Sequence, residues 1–495
     1  MNIQDTSIEQ AILVRTDSGL IAGSGGAVRS FKGIPYAEPP AGELRWRPPQ
    51  PLKPWSGVKA ATAFGADPPQ AATLRTRATA MSEDCLTLNI WAPETNAGEL
   101  RPVMVWLYGG SFVSGSGSDP RCDGESFARK GVVLVTINYR IGVLGFMAHP
   151  QLSAESPKAS SGNYGLLDTL AALQWVQHNI SAFGGDPGRV TLFGVSAGAA
   201  LISLLLTSPL ARGLFQQTIQ QSPGAFRPLS SLADAEAAGV KLGGKIAELR
   251  KLPAEEILKK TPLFVPQQRG LTTPRVLRPI RDGWIIPSDE RAAYAAGNIL
   301  AVPSIVGTNA DEGSKLTATW QVKTGEQLDA LIVESFGAQA KRARELYAGA
   351  EVRRSVAEMF ADTQFNVGAR GVMRGLRDKG APVYRYLFTR RRPGSGAPNH
   401  GDEVPYVFAS LAVAAELDPQ PFDHDDLALA ETMQDAWVRF ADTGNPNGGS
   451  LPPWPASDAR EDYLELDQTI RVAHGWRQAQ LDFLDAYFDS RDRRT

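Results

Sequence analysis

Residues 101–107 (Arg-Pro-Val-Met-Val-Trp-Leu) and 132–139 (Val-Val-Leu-Val-Thr-Ile-Asn-Tyr) are near-continuous apolar runs of strand length. Such runs are expected where a strand is covered on both faces, as in the middle of a parallel sheet. From Gly165 to Ile180 the apolar positions Leu166, Leu167, Leu170, Leu173, Trp175, Val176 and Ile180 fall at roughly helical spacing, and Phe183-Gly-Gly-Asp-Pro187 stops that helix. A further strand follows at 189–193. Strand, helix and strand in this order form a βαβ unit, whose right-handed crossover builds a parallel sheet. Downstream, 302–306 and 383–388 read as two more strands, the first ending in the loop 307–313 and the second in a Gly/Pro-rich loop leading to His400. Two long segments rich in Ala, Leu, Glu, Lys and Arg, at about 231–260 and 325–380, read as helical insertions. Insertions that follow strands land at their carboxyl ends, where α/β sites form, so these helices are expected to roof a site. The prediction is one α/β core over residues 1–495, with a large, mostly parallel central sheet flanked by helices.

Composition changes this picture little. Of the 495 residues, 43% are hydrophobic and 21% charged, enough apolar material to bury such a sheet. The 35 prolines and 48 glycines are spread along the chain with no repeat or low-complexity tract. Charge excludes one class of partner: 51 Lys+Arg against 53 Asp+Glu leave a net charge of -2, with no basic excess to release counterions from nucleic acid. No run reaches the length of a membrane span, and the amino terminus lacks the basic and apolar regions of a signal peptide. A cytoplasmic protein is expected. Two cysteines, Cys85 and Cys122, are too few for a disulfide framework or a structural zinc site and read as packed thiols.

The chemistry starts at Gly194-Val-Ser-Ala-Gly198, the one G-x-S-x-G of the chain, set between the strand ending at Phe193 and the helical run 199–206. That is the setting of the nucleophile elbow of an α/β-hydrolase, in which the serine sits on a sharp, strained turn flanked by small residues. A serine hydroxyl needs a base to take its proton, and the base needs a third group to hold its tautomer. In this fold the acid and then the histidine follow the serine in the chain. Of five histidines this order removes His149 and His178. His424, within Asp-His-Asp-Asp at a helix start, and His474, near the carboxyl terminus, suit solvated or capping roles. His400, in a loop after a strand and beside a glycine, has the required setting. Asp311 and Glu312 both lie in the loop where the acid belongs, and local reasoning does not separate them; the other of the pair is expected to bond the loop backbone. Two sources of oxyanion-binding amides are visible. One is Ala197, at the positive end of the helix after the serine, and the other is the loop Tyr108-Gly-Gly-Ser-Phe112 after a strand.

With these residues assembled, the chain resembles the type-B carboxylesterases, the family of cholinesterases and bacterial p-nitrobenzyl esterases. The resemblance rests on Phe31-Lys-Gly-Ile-Pro-Tyr-Ala-Glu-Pro-Pro40, Glu83-Asp-Cys-Leu-Thr-Leu-Asn-Ile-Trp91, Asn138-Tyr-Arg-Ile-Gly-Val-Leu-Gly-Phe146, Phe183-Gly-Gly-Asp-Pro187, Asp311-Glu-Gly313 and His400-Gly-Asp-Glu403. It implies Glu312 as the acid, Gly110, Ser111 and Ala197 as the oxyanion amides, and Ser222 as a buried serine supporting the triad. No metal or cofactor is implied. Three departures stand out. Val195 replaces the family's usual glutamate before the nucleophile, Ser111 replaces a glycine or alanine, and Cys85 lacks the earlier cysteine with which it pairs in secreted relatives.

The expected function is hydrolysis of small-molecule carboxylic esters by acyl transfer through Ser196, His400 and Glu312. Carbamates, amides or multi-ester natural products could be served by the same triad. A non-catalytic binding protein on this fold would lack a complete triad, and an interfacial lipase would need an apolar lid. Phe112, Phe226 and Trp284 are candidate pocket aromatics.

Overall fold

The computed structural model describes residues 11–71, 75–94, 98–264, 270–349, 351–418 and 421–492. Its centre is a 13-stranded mixed sheet. The amino-terminal strands are β1 (Ala11–Arg15), β2 (Leu20–Ser24), β3 (Val28–Pro35), β4 (Val58–Ala60) and β5 (Thr87–Pro93). The central and carboxyl-terminal strands are β6 (Arg101–Leu107), β7 (Val133–Ile137), β8 (Gly185–Val195), β9 (Gln217–Gln221), β10 (Ser304–Asn309), β11 (Val383–Phe388), β12 (Tyr463–Leu466) and β13 (Arg471–Ala473). The order is β1-β2-β3-β5-β7-β6-β8-β9-β10-β11-β12-β13, with β4 beside β2. From β7 to β12 every neighbouring pair is parallel; both flanks are antiparallel except for β4, which runs parallel to β2.

The apolar runs are buried on both faces, as their composition demands, and alternate residues go to opposite sides. Val103, Val105 and Leu107 of β6 pack with Leu173 and Val176 of helix α1 (Tyr164–Asn179) and with Leu201 and Leu205 of α2 (Ala197–Thr207). Met104 and Trp106, between them in sequence, pack on the other face with Phe193, Phe408, Met433 and Trp437. Helix α1 runs on into a 3-10 turn (Ile180–Phe183) that ends at Gly184, at φ 86°, a left-handed position that glycine takes without steric cost, and β8 begins at the next residue.

The segment 302–306 is strand only from Ser304, and the strand runs on to Asn309. Pro303 has no N–H to give to a ladder, so pairing with β11 starts after it. The two helical segments are used differently. Within 231–260, Gly239 lies against the Ala148 carbonyl, where a Cβ would come within 1.8 Å, and Arg250 is bidentate to Glu155 at 3.0 and 2.8 Å. This segment packs on the 150–155 helix, and only the chain beyond it, at Phe264 and 270–278, reaches the cavity described below. The segment 325–380 reaches that cavity through Phe360 and Phe365. Among the described residues, no helix is long and apolar enough to cross a membrane.

Candidate active site

Ser196 stands between β8 and α2 with φ 57° and ψ −114°, outside the comfortable regions for a side-chain-bearing residue. Such a conformation costs about 1–3 kcal/mol and persists because its surroundings impose it. The glycines around it explain how. A Cβ on Gly194 or Gly198 would sit 2.5 or 2.0 Å from the Leu107 carbonyl oxygen, and one on Gly109 would sit 3.0 Å from Ser196 Cβ. The end of β6 thus passes directly against the turn, which only bare backbone permits.

The loop after β6 is held from several sides. Tyr108 Oη donates to the Tyr139 carbonyl at 2.9 Å and Tyr139 Oη donates back to the Tyr108 carbonyl at 2.7 Å, with the rings stacked at 4.3 Å. Gly142 N donates to the Phe112 carbonyl at 2.6 Å. The segment 138–146 therefore serves as the seat of the 108–112 loop. Gly110 has φ 118°, and a Cβ there would lie 2.0 Å from Ser114 O. Ser111 and Phe112 also take positive φ, at 57° and 65°. Ala197 is the first residue of α2, where backbone N–H groups have no intrahelical acceptor.

Beyond β10, Glu312 is 1% exposed and Asp311 is turned away from it. Asp311 Oδ1 accepts from Ser314 N at 2.9 Å and Gly313 N at 3.3 Å, a loop-capping role. Glu312 Oε1 accepts from Ser222 Oγ at 2.5 Å and from Asn309 N at 2.6 Å, while Oε2 hydrogen-bonds His400 Nδ1. His400 packs against Phe365 with its ring tilted by 32° and the centroids 4.2 Å apart, and its Nε2 is buried with no partner among the described residues. Phe365 lies in the widened π-helical turn Asp362–Asn366; turns of this kind recur at functional sites. Ser196, Gly110, Ser111, Ala197 and His400 all line one cavity of about 450 Å³. Val195 is on its wall, and so is Cys122; both cysteines are free, buried thiols whose pKa burial pushes up. Of the three candidate aromatics, Phe112 lines the cavity. Phe226 instead packs on Tyr294 at 5.0 Å, and Trp284 packs against the core.

The remaining histidines are elsewhere. His149 Nδ1 accepts from Gln151 N at 3.1 Å and caps a helix, and His178, His424 and His474 are exposed.

Sequence reasoning assigned no role to three buried polar residues, Glu403, Asn309 and Glu290. Glu403 accepts from Asn309 Nδ2 at 2.6 Å and from Gln221 Nε2 at 3.0 Å. Burial first, then the nearby Glu312 carboxylate, push the Glu403 pKa above its ordinary value. Glu403 does stand in the quoted His400-Gly-Asp-Glu403 motif; Asn309 had no signal. Glu290, the third, accepts from Ser203 Oγ of α2 at 2.5 Å and from Phe226 N at 2.7 Å, and burial raises its pKa to about 7.

The sign of the Glu290 effect follows from linkage. With the folded value above the ordinary 4.5, the native state holds the proton more tightly. Its contribution is full below about pH 4.5 and is lost as pH rises through about 7. Relative to Glu290→Gln, the wild type should therefore lose a few kcal/mol of stability between those limits, at about 1.4 kcal/mol per pKa unit. Urea unfolding of both proteins across that range checks this, and parallel stability curves would refute it.

A model of the carboxylesterase family matches residues 10–484 of the chain. The chain belongs to the carboxylesterase family. Among relatives, this carboxylesterase is 44% identical to a fumonisin B1 esterase of Sphingopyxis macrogoltabida over 94% of its length and 88% of the relative's. It is 36% identical to the para-nitrobenzyl esterase of Bacillus subtilis (strain 168), covering 93% and 96% of the two chains. A solved para-nitrobenzyl esterase structure superposes with a TM-score of 0.86 at 34% identity, covering 95% of this chain and 99% of that one. The α/β-hydrolase fold and the type-B resemblance are thereby confirmed, and the protein is a carboxylic ester hydrolase acting on small-molecule esters.

Proposed function

We propose that the carboxylesterase works through an acyl-enzyme on Ser196, with His400 as general base and Glu312 as the group that orients it. The observation that carries this reading is His400 itself: Nδ1 is engaged by the buried Glu312, and Nε2 is left without a described partner in the cavity that Ser196 also lines. Ser196 Oγ attacks the ester carbonyl as its proton passes to Nε2. The negative charge developing on the carbonyl oxygen is met by the amides of Gly110, Ser111 and Ala197. Collapse breaks the bond to the alcohol oxygen, which takes the proton from Nε2. Water then gives a proton to Nε2 and attacks the acyl carbon, releasing the acid and restoring the serine. Ser222 supports the sequence by donating to Glu312, fixing the carboxylate that fixes the ring.

The relative named a fumonisin B1 esterase makes fumonisin B1 a candidate substrate here too. The general reading is tested by p-nitrophenyl butyrate hydrolysis and by labelling with a p-nitrophenyl alkylphosphonate. One phosphonyl group per chain should appear on Ser196 by peptide mass, with complete loss of turnover. Full labelling at another residue, or inactivation without label on Ser196, would refute the assignment.

A further inference from the structure

Strands β10 and β11 run side by side up to the pair Asn309 and Phe388, and there both strands end. The chain after β10 enters the loop of Glu312 at once, whereas the chain after β11 passes through residues 389–399 before it reaches His400. The sheet ladder therefore does not by itself fix the spacing of the proposed acid and base. The two loops are rejoined by a short parallel bridge between Asp311 and Asn399, in which Asp311 N donates to the Pro398 carbonyl at 3.0 Å.

Asn309 reinforces that bridge with its side chain. Its backbone N donates to Glu312 Oε1 at 2.6 Å, and its Nδ2 donates both to the Asn399 carbonyl and to Glu403 Oε2, each at 2.6 Å. Asn399 precedes His400 and Glu403 follows it. One amide group thus holds the chain on both sides of the histidine, while the backbone of the same residue holds the carboxylate. The chain of contacts extends to the nucleophile: Glu403 Oε1 accepts from Gln221 Nε2 at 3.0 Å, and the Gln221 carbonyl accepts from Ser196 N at 2.9 Å. Asn309, Glu403 and Gln221 are all buried, where solvent does not make good a lost hydrogen bond.

The residue type fits this role. A carbonyl and a carboxylate are both acceptors, and they converge on one atom; a side-chain amide nitrogen has two protons to give them. Aspartate has the same shape and, when ionised, no proton to give. Filling the space requires only the shape, whereas holding both flanks of His400 requires the two donors.

We propose that Asn309 is a positioning residue for the ester hydrolysis, setting the spacing of Glu312 and His400 through its bonds to Glu312, Asn399 and Glu403. This rests on the reading of Ser196, His400 and Glu312 as the triad, and the experiment separates the two.

The test is a double-mutant cycle read in p-nitrophenyl butyrate hydrolysis. Asn309→Asp keeps the shape and removes both donors, and Asn309→Ala removes the whole group. Each should lower kcat by about 10²-fold, the scale of a misplacement of about 1 Å between reacting groups. KM should stay within about threefold, because Asn309 is not among the residues that line the cavity. In a Glu312→Gln background the same substitutions should cost no more than about threefold, since the spacing they disturb has already lost its acid. Should a further acid beside Glu403 keep Asn309→Asp from folding, Asn309→Ala carries the comparison alone. A variant that merely folds less well loses the same factor in both backgrounds, so equal losses would overturn the proposal. A loss carried in KM rather than kcat would overturn it too. A large loss in Glu312→Gln beside wild-type kcat in the Asn309 variants would strike this proposal and leave the triad standing. Wild-type turnover in Glu312→Gln would overturn the triad reading, and this proposal with it.

Discussion

Ser196→Ala should lower kcat for p-nitrophenyl butyrate by about 10⁴-fold or more, with KM and the circular dichroism spectrum near those of the wild type. The size of the effect comes from the loss of the covalent route, not of a contact. The amides of Gly110, Ser111 and Ala197, proposed to bind the oxyanion, remain, and residual rate over water should persist through them. Alanine is also tolerated by the fold. The turn is imposed by backbone passing backbone at Gly194, Gly198 and Gly109, and the Cβ at 196 is already accommodated there. Steady-state kinetics check this, and a variant within about tenfold of wild type would remove Ser196 from the mechanism.

Glu312→Gln is expected to lower kcat by about 10⁴-fold near neutral pH, by a different route. The replaced carboxylate has two tasks on two oxygens. Oε1 accepts from Ser222 Oγ and Asn309 N, and Oε2 faces His400 Nδ1. With Oε1 held by two donors, an amide places its NH₂ toward the ring. Nδ1 must then accept, which puts the ring proton on Nε2, the atom proposed to take the proton from Ser196. The negative charge that steadies the imidazolium is lost as well. Measuring kcat over a pH series tests the tautomer argument, since Glu312→Asp keeps the charge and should lose much less. Equal losses in the two variants would mean that Glu312 acts by packing alone.

How much could be read from the chain beforehand follows from how each feature is encoded. The central strands β6, β7 and β11 were legible because burial on both faces forces an uninterrupted apolar run. The elbow was legible because a tight approach of backbone to backbone demands small residues at fixed offsets from one serine. Strand β10 was misplaced at both ends. Pro303 cannot enter the ladder, and Gly307, which looks like a turn residue, is instead a strand glycine against the Tyr386 ring, where a Cβ would lie within 2.2 Å. Asp311 and Glu312 were inseparable locally, since the choice depends on Ser222, Asn309 and His400, and two of these lie some ninety residues away. The cavity wall at 270–278 has no regular element and so no period to detect.

The rim of the sheet is stitched sideways. Ser196 N donates to the Gln221 carbonyl at 2.9 Å, and Ser222 N donates to the Gly307 carbonyl at 2.8 Å, so the ends of β8, β9 and β10 are tied in sequence. The residues proposed to react are mounted on this rim or on loops leaving it, as is Arg227 in the loop after β9, while the cavity wall at 270–278 hangs from another part of the chain. A lineage could therefore exchange the wall, and with it the molecules admitted, without disturbing the alignment of the reacting atoms.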